Sequence, residues 1–269
     1  MNDLSAYIPE MIETRRYLHR IPEIAWTEFL TSELVIKRVR ELGFKTIIGK
    51  ALFNEEYAYG REDDVIEKAQ KRALSMGMDP KLLEEMQGYT GCMAIWETGR
   101  DGPVTAFRFD MDCIAVEENH DETNEAYVGG FDSTFPGLMH ACGHDGHTAM
   151  GLAFARWIKD HADSLKGTIK LVFQPAEEGT KGASGIAESG LLDDVDYFIG
   201  GHVGMDPKLH ELGIITKGFL STTKINVGFT GKPAHAGAAV MVKETQLSIS
   251  ALCMPAKDEM LCLCMQRWS

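Results

Sequence analysis

The order of apolar and amphipathic segments between residues 104 and 200 most limits what this chain can fold into. Residues 104–109 (VTAFRF) are typical of a buried strand, and residues 148–162 have the spacing of an amphipathic helix. Residues 167–173 and 197–200 again resemble strands. Strands that alternate with helices favour an α/β fold, so we predict a mostly parallel sheet flanked by helices.

The N-terminal third is predicted to be helical. Residues 9–43 have the pattern of two amphipathic helices, with a break at Ile21-Pro22 and Ser32 as a candidate cap. Residues 53–88 form a charged, helix-prone block in which Pro80 suits the first turn of a helix. We interpret this block as a solvent-facing insertion or as a wall over a site.

The pattern changes after Thr222. Residues 224–230 alternate as a strand does, and a Gly-rich loop follows them. We therefore predict a first domain over residues 1–220 and the start of a smaller α+β domain over residues 221–269.

Composition excludes several classes of function. At 269 residues, with 44% hydrophobic and 25% charged residues, the chain resembles an ordinary globular protein with a sizeable core. A net charge of −13 argues against a nucleic-acid partner. No apolar run approaches the about 20 residues that span a membrane, and the N-terminus does not resemble a signal peptide. We expect a cytoplasmic protein whose six cysteines are reduced thiols.

The segment His140 to His147 concentrates side chains that bind metals. Cys142 and His144 can turn toward one ion from a tight loop, because Gly143 permits an unusual backbone conformation. The alternative is a buried cysteine and a histidine that caps a helix near Thr148, and this loop alone leaves both open. Five candidate ligands within eight residues favour the metal: His140, Cys142, His144, Asp145 and His147. A cysteine nucleophile is the weaker interpretation, since it needs a separate base across the site and the flanking residues do not match a known thiol protease.

Two adjacent carboxylates, Glu177 and Glu178, follow an apolar strand and a proline. In a metal hydrolase one carboxylate binds the ion, while the other accepts a proton from the attacking water and delivers it to the leaving amine. The alternative is an acidic first turn of a helix, stabilised by the helix dipole. Both can hold at once.

Other polar residues also follow the predicted strands. Asp110 and Asp112 come directly after the strand at 104–109, where one of them can orient a ligating imidazole; a solvated turn is the alternative. His202 follows the strand at 197–200 and is a further candidate ligand, although a lone histidine is more often structural. His235, in a Gly-rich loop, can donate a hydrogen bond to a developing oxyanion. Four histidines lack such a context and are predicted to be structural: His19, His120, His161 and His210.

In combination, these segments resemble the M20 metallopeptidases and, within them, the amidohydrolase branch. The resemblance is carried, in family order, by residues 15–23, 107–112, 139–148, 173–179 and 231–237. Residues 53–88 and 131–139 resemble the enzymes that hydrolyse aminobenzoyl-glutamate most closely. The family has a zinc-exopeptidase-like catalytic domain and a smaller lid or dimerisation domain.

The resemblance also implies roles for individual residues. It makes Cys142, His144, Glu178 and His202 the ligands of one or two Mn²⁺ or Zn²⁺ ions. Glu177 becomes the general base and acid, and Asp112 a supporting carboxylate. His235 falls in the lid domain, from which it can reach the active site of a partner in a homodimer. The implied reaction is hydrolysis of the amide bond of an N-acyl or N-aroyl amino acid, and another candidate partner is a second subunit.

The tail departs from the family pattern after about residue 238. It is rich in Cys and Met, as in Cys253, Cys262 and Cys264, and we expect a frameshift or aberrant gene end to have replaced the family sequence. Family members also continue well beyond this length. Besides the active amidohydrolase, two interpretations therefore stay open. One is a truncated, non-catalytic fragment that folds partly or binds a partner subunit, and the other is a metal-binding or peptide-binding protein without turnover.

Overall fold

The computed structural model describes residues 4–204, 208 and 211–214, together with the backbone of residues 223–231 and 244–253. The chain divides into two compact units, residues 1–205 and 206–269. The predicted boundary between residues 220 and 221 therefore lies inside the second unit.

The described part of the first unit is built from seven α-helices and five strands. The helices are α1 Ile8–His19, α2 Phe29–Glu41, α3 Asp63–Ser75, α4 Pro80–Met86, α5 Glu125–Val128, α6 His144–Asp160 and α7 Ala183–Ala187. The strands are β1 Lys45–Ile48, β2 Cys92–Glu97, β3 Val104–Asp110, β4 Thr168–Gln174 and β5 Tyr197–Gly200. All three strands predicted between residues 104 and 200, and the helix between them, are confirmed.

The five strands form one sheet in the order β1-β2-β4-β3-β5. β3 pairs in parallel with β4 and with β5, whereas β2 pairs antiparallel with both β1 and β4. The α/β fold is therefore confirmed, but the expectation of a mostly parallel sheet is wrong, because the sheet is mixed. Neither β1 nor β2 was predicted from the sequence, since both strands are short and flank the charged block at residues 53–88.

Helix α6 packs on the sheet beside the ends of β3 and β4. A side chain at Gly151 would place its Cβ 2.6 Å from Phe173 and 2.8 Å from Phe109, so glycine is needed for this close approach. Ala155 and Ile158 of the same helix are fully buried. Burial of these apolar side chains holds the first turn of α6 at the edge of the sheet where β3 and β4 end.

The two N-terminal helices are confirmed, but their cap is not the predicted one. α2 begins at Phe29, so Ser32 lies within the helix, and its hydroxyl accepts a hydrogen bond from the Gly91 amide at 2.8 Å. The buried carboxylate of Glu23 caps α2 instead, accepting from the Thr31 amide at 2.9 Å and, more weakly, from the Leu30 amide at 3.3 Å. A cap from six residues upstream of the helix has no local sequence signature.

The charged block at residues 53–88 supplies α3 and α4. Pro80 begins α4, as predicted, and the Asp79 side chain accepts from the Lys81 amide at 2.9 Å. α3 buries Ile66 and Ala73, while its opposite face carries exposed i,i+4 ion pairs. One face of the insertion is thus solvated, and the other packs against the body of the unit.

Strand β5 lies at the end of the sheet with its side chains exposed. The exposed fractions of Tyr197, Phe198 and Ile199 are 62%, 53% and 50%. In the described residues, β5 pairs with β3 on one side and with no strand on the other.

In the second unit, the backbone of β6 Thr223–Gly231 pairs antiparallel with β7 Glu244–Cys253, which confirms the predicted strand at 224–230. A search of the described helices found none with the length and apolar character of a membrane span.

Candidate metal centre and active site

The candidate site lies at the edge of the sheet where the parallel strands end. Asp110, the last residue of β3, is in register with Gln174, the last residue of β4. β5 ends beside them at Gly200. The segments that follow these three strands therefore bring Asp112, the Glu177-Glu178 pair and His202 to one edge, as expected for an open α/β sheet.

The loop before α6 completes this edge. Gly143 has a φ of +80° and directly precedes His144, the first residue of the helix. A Cβ at Gly143 would lie 2.8 Å from the Val203 side chain, so both its conformation and its surroundings require glycine. His144 is fully buried, whereas Cys142 is partly exposed.

Among the described residues, three groups of side chains have ligand atoms within 4.8 Å of one another, and His144 belongs to all three. The groups are Cys142–His144–Glu178, Asp110–His144–Glu177 and His144–His147–His202. The structure thus brings together three of the four predicted ligands in one group, and it places the fourth, His202, in another group that shares His144. Their donor set of thiolate, imidazole and carboxylate suits zinc and similar divalent cations.

Unpartnered polar atoms show that this donor set fits a cation. Both ring nitrogens of His144 are buried and make no hydrogen bond to a described residue, and the same holds for Oε1 of Glu178. The nearest carboxylate oxygens to His144 are Oδ1 of Asp112, at 3.5 Å, and Oδ1 of Asp110, at 3.8 Å. Buried polar atoms are normally paired, so an unpartnered imidazole nitrogen in the same ligand group as an unpartnered carboxylate oxygen is expected where an ion binds.

The electrostatic field of the site is strongly negative. Burial and the Glu178 carboxylate raise the pKa of the Cys142 thiol to about 12. Burial alone would lower the pKa of His144, but Asp112 and Asp110 raise it to about 9. Burial, together with Asp110 and Glu178, also raises the pKa of Glu177, against the lowering effect of Arg108 and His144. A divalent cation would neutralise this field and favour the thiolate.

Asp112 positions the carboxylate pair. It is fully buried and accepts hydrogen bonds from the backbone amides of Glu177, at 2.9 Å, and Glu178, at 2.8 Å. Asp110 is also buried, and its carboxylate lies 2.9 Å from the guanidinium of Arg108. The alternative of a solvated turn is therefore wrong for both aspartates, and Asp112 supports the site mainly through the backbone of its neighbours.

Glu28 is a positioning residue that no sequence pattern revealed. Its buried carboxylate accepts from the Ala176 amide at 2.8 Å and from the Thr90 hydroxyl at 2.6 Å. Ala176 has a φ of +52°, an uncommon conformation for a residue with a side chain, so its amide contact helps to hold the turn that precedes Glu177. Burial and the nearby Asp112 raise the pKa of Glu28 to about 8.

His147 was predicted only as one of five candidate ligands, and its hydrogen bonds give it a different role. Its Nδ1 donates to Oδ1 of Asp110, and its Nε2 accepts from the Val203 amide at 2.9 Å. Both ring nitrogens are thereby occupied. His147 therefore ties the segment that carries His202 to the end of β3, as outer-shell groups do in metal sites.

We expect His147→Phe to weaken zinc binding by about 10- to 100-fold, because the Val203 amide loses its acceptor and His202 loses its position. The measurement is competition for zinc with a chromophoric chelator. The control is His161→Phe, which removes a histidine that lies just beyond the end of the same helix. Unchanged affinity in His147→Phe would contradict the positioning role.

A second buried network of hydrogen bonds and ion pairs holds the first turn of α6, directly after the loop that carries Cys142. The His19 ring bonds to Oδ2 of Asp145 at 2.8 Å and to Oε1 of Glu118 at 3.0 Å. Arg15 adds an ion pair to Asp145 at 2.9 Å. His19, predicted to be structural, thus joins α1 to the residue that follows His144.

This network predicts a pH-dependent stability. Burial lowers the pKa of His19, but the carboxylates of Asp145 and Glu118 outweigh it and raise the pKa above its usual value. Because the folded-state pKa is the higher one, the stabilisation is complete below about pH 6.5 and is lost as the pH rises through the folded-state value.

We therefore expect His19→Gln to lower the free energy of unfolding by about 3 kcal/mol at pH 6, and by less at higher pH. Urea denaturation at pH 6 and pH 9 measures the difference. The exposed pair of His120 and Asp132 provides the control, since His120→Gln should cost below about 1 kcal/mol. An equal loss at both pH values would contradict the assignment.

His235, the predicted oxyanion donor, lies outside the described residues, as do most of the residues from 238 onward. Its role stays a prediction.

Comparison with known proteins identifies the family of the chain. The profile of Peptidase family M20/M25/M40 matches residues 106–261, which is more than half of the chain. The match extends past residue 238, where the family pattern was expected to stop, and the replaced tail stays a prediction.

Several curated proteins have similar sequences. One subunit of the p-aminobenzoyl-glutamate hydrolase of Escherichia coli (strain K12) is 40% identical over 237 residues, which cover 87% of this chain and 54% of that protein. Its homolog in Haemophilus influenzae is 42% identical over 231 residues, covering 86% and 55%. Indole-3-acetyl-aspartic acid hydrolase of Enterobacter agglomerans is 41% identical over 232 residues, covering 86% and 53%. The chain thus spans about half the length of these relatives.

Solved structures agree with the sequence matches. The aminobenzoyl-glutamate utilization protein of Klebsiella pneumoniae superposes with a TM-score of 0.65 at 33% identity, covering 87% of this chain and 53% of that one. A dinuclear metal-binding peptidase of the M20 family from Bacillus subtilis gives 0.54 at 28% identity, covering 73% and 43%. From the profile match and these similarities, the chain belongs to peptidase family M20/M25/M40.

Proposed function

We propose that this chain acts in the metal-dependent hydrolysis of the amide bond of N-acyl or N-aroyl amino acids, with aminobenzoyl-glutamate as the substrate to test first. The observation that carries the proposal is the Cys142–His144–Glu178 group with its unpartnered buried nitrogens, next to a second carboxylate, Glu177. The substrate is suggested by the names of the E. coli and K. pneumoniae proteins.

Four residues are proposed to hold one or two ions of Mn²⁺ or Zn²⁺: Cys142, His144, Glu178 and His202. When bound, such a cation supplies a Lewis acid that polarises the amide carbonyl and lowers the pKa of water. The negative field of Asp110, Asp112 and the two glutamates is the reason that a divalent cation, and not an anion, is expected there.

Glu177 is proposed to move the proton. Its carboxylate lies beside the ligand group, and its raised pKa brings it closer to the neutral range in which a general base can also return the proton as an acid. Arg108, 3.8 Å from Glu177 and hydrogen-bonded to Gln174 at 2.7 Å, keeps the carboxylate oriented toward the end of β3. Glu177 accepts a proton from water as the water oxygen bonds to the amide carbon, and it returns that proton to the amine nitrogen as the C–N bond breaks.

Further parts of the proposal rest on sequence. His235 is proposed to donate a hydrogen bond to the developing oxyanion. Because the E. coli relative is one subunit of its enzyme, we also propose that the partner is a different subunit or a second copy of the chain. The expected cytoplasmic location belongs to the same set of proposals.

The test is release of 4-aminobenzoate from 4-aminobenzoyl-glutamate by the purified chain, first stripped of metal and then supplied with Mn²⁺ or Zn²⁺. Release that requires the metal supports the proposal. Metal binding without release would contradict it and support the second candidate, a non-catalytic metal-binding or partner-binding fragment. The ligand group is compatible with this candidate as well, since it requires an ion but not turnover.

A further inference from the structure

A cavity of about 340 Å³ opens beside the candidate metal centre. Its lining comes from the turn at residues 24–26, from Val65 and Ile66 of α3 in the inserted block, and from Ile114 and Ala115. Glu178, a proposed metal ligand, also lines the cavity. Its volume is within the range of small-molecule sites, about 300–1,000 Å³.

The lining of the cavity favours the aromatic acyl group of an N-aroyl amino acid over its amino-acid part. Most of its side chains are apolar, and three described lining residues carry charge: Glu62, Lys181 and Glu178. A glutamate moiety would bring two carboxylates to a cavity that holds two carboxylates and one ammonium group, so repulsion would exceed attraction. A neutral aromatic ring, in contrast, would be desolvated favourably against Trp26, Val65 and Ile66.

The walls are held in place by contacts of their own. Trp26 is buried with a φ of +67°, a strained conformation for so large a residue, and its indole N–H donates to the Tyr59 carbonyl at 2.7 Å. The Cys113 amide donates to the Glu23 carbonyl at 2.8 Å, which joins the residue before the turn at 24–26 to the segment that follows β3. Strain that the surrounding structure maintains is typical of ligand sites, where it supports a preformed shape.

We propose that this cavity is the binding site for the aromatic acyl group of the substrate, and that α3 of the inserted block determines the selectivity for it. The inference rests on the proposed function for the reaction, and it adds the site and the chemical class of the group bound. Because Glu178 also lines the cavity, a ring bound there can bring its carbonyl carbon to the ligand group.

The experiment measures binding without turnover. 4-Aminobenzamide is titrated into the zinc-loaded Glu177→Gln chain by ligand-observed NMR, with and without Val65→Phe. We expect the added ring to fill the cavity and weaken binding at least tenfold. Val116→Phe makes the same substitution at an exposed position two residues after Ile114 and should leave the affinity unchanged.

A second variant tests whether weaker binding by Val65→Phe comes only from a folding defect. Ala115→Leu narrows the cavity from another wall at an exposed residue and should weaken binding as well. The inference would be overturned if 4-aminobenzamide did not bind to the Glu177→Gln chain, or if it bound equally to that chain and to all of its variants. Because this titration measures binding and not hydrolysis, its outcome is distinguishable from failure of the proposed reaction. In a separate assay of the chain that keeps Glu177, hydrolysis of 4-aminobenzoyl-glutamate that Val65→Phe leaves unaffected would overturn the cavity assignment alone.

Discussion

Glu177→Gln should abolish most of the hydrolysis of 4-aminobenzoyl-glutamate while leaving metal binding intact. Glutamine keeps the shape of the side chain but can neither accept the proton of water nor return it to the leaving amine. Loss of general acid–base catalysis costs about 10²–10⁴-fold in rate, and we expect about 10³-fold here, because one group serves both transfers. Steady-state kcat measured with saturating zinc, together with zinc stoichiometry, gives the two readouts.

The neighbouring carboxylate is the matched control for this prediction. Glu178→Gln changes the same side chain one residue later, and both backbone amides are held by Asp112. We expect Glu178→Gln to weaken zinc binding, so that its activity recovers in part at higher metal concentration. If Glu177→Gln lost the metal and Glu178→Gln retained it, the two roles would have to be exchanged.

The second large effect is expected at His144. His144→Asn should weaken zinc binding by more than about 100-fold, because removal of an outer-shell partner alone costs about 10–100-fold and this residue is itself a proposed ligand. Since His144 belongs to all three candidate groups, no other single substitution removes a donor from each of them. Competition titration with a chelator measures the affinity, and circular dichroism checks the fold.

The same substitution at His161, just beyond the end of α6, is the control for replacing a histidine with asparagine. His161→Asn removes an imidazole that bonds to the Trp157 carbonyl at 2.9 Å, far along α6 from the site. Its zinc affinity should equal that of the parent chain. A His144→Asn chain that binds zinc with parental affinity would show that the ion is held elsewhere.

The sequence allowed prediction of those parts of the fold and site that depend on local patterns. β3, β4 and β5 are apolar runs that end in polar residues, and parallel strand ends collect at one edge, so Asp112, the Glu177-Glu178 pair and His202 were expected together. That Cys142 and His144 join Glu178 and His202 as ligands was implied by the resemblance to the M20 family. β1 and β2 were missed, because short strands beside a charged helical block lack a clear period. Because the antiparallel pairings of the five-stranded sheet all involve β2, missing these two strands led to the expectation of a mostly parallel sheet.

The supporting contacts could not be predicted, since they join residues far apart in the chain. Glu28 meets Ala176 across 148 residues, and His19 meets Asp145 across 126. No local spacing records such pairs. His147 was visible as a candidate ligand, yet its two hydrogen bonds, which make it a positioning residue, appear only in the folded chain.

The exposed strand β5 has a practical consequence for work with this chain. Edge strands in soluble proteins are usually short, charged or covered, because their free amide and carbonyl groups act as a template for another strand. β5 is short and no other described strand pairs with its outer edge, while Tyr197, Phe198 and Ile199 are exposed without an intervening charge. Concentrated samples should therefore self-associate through this edge, and Phe198→Lys is the substitution we would choose to keep them monodisperse.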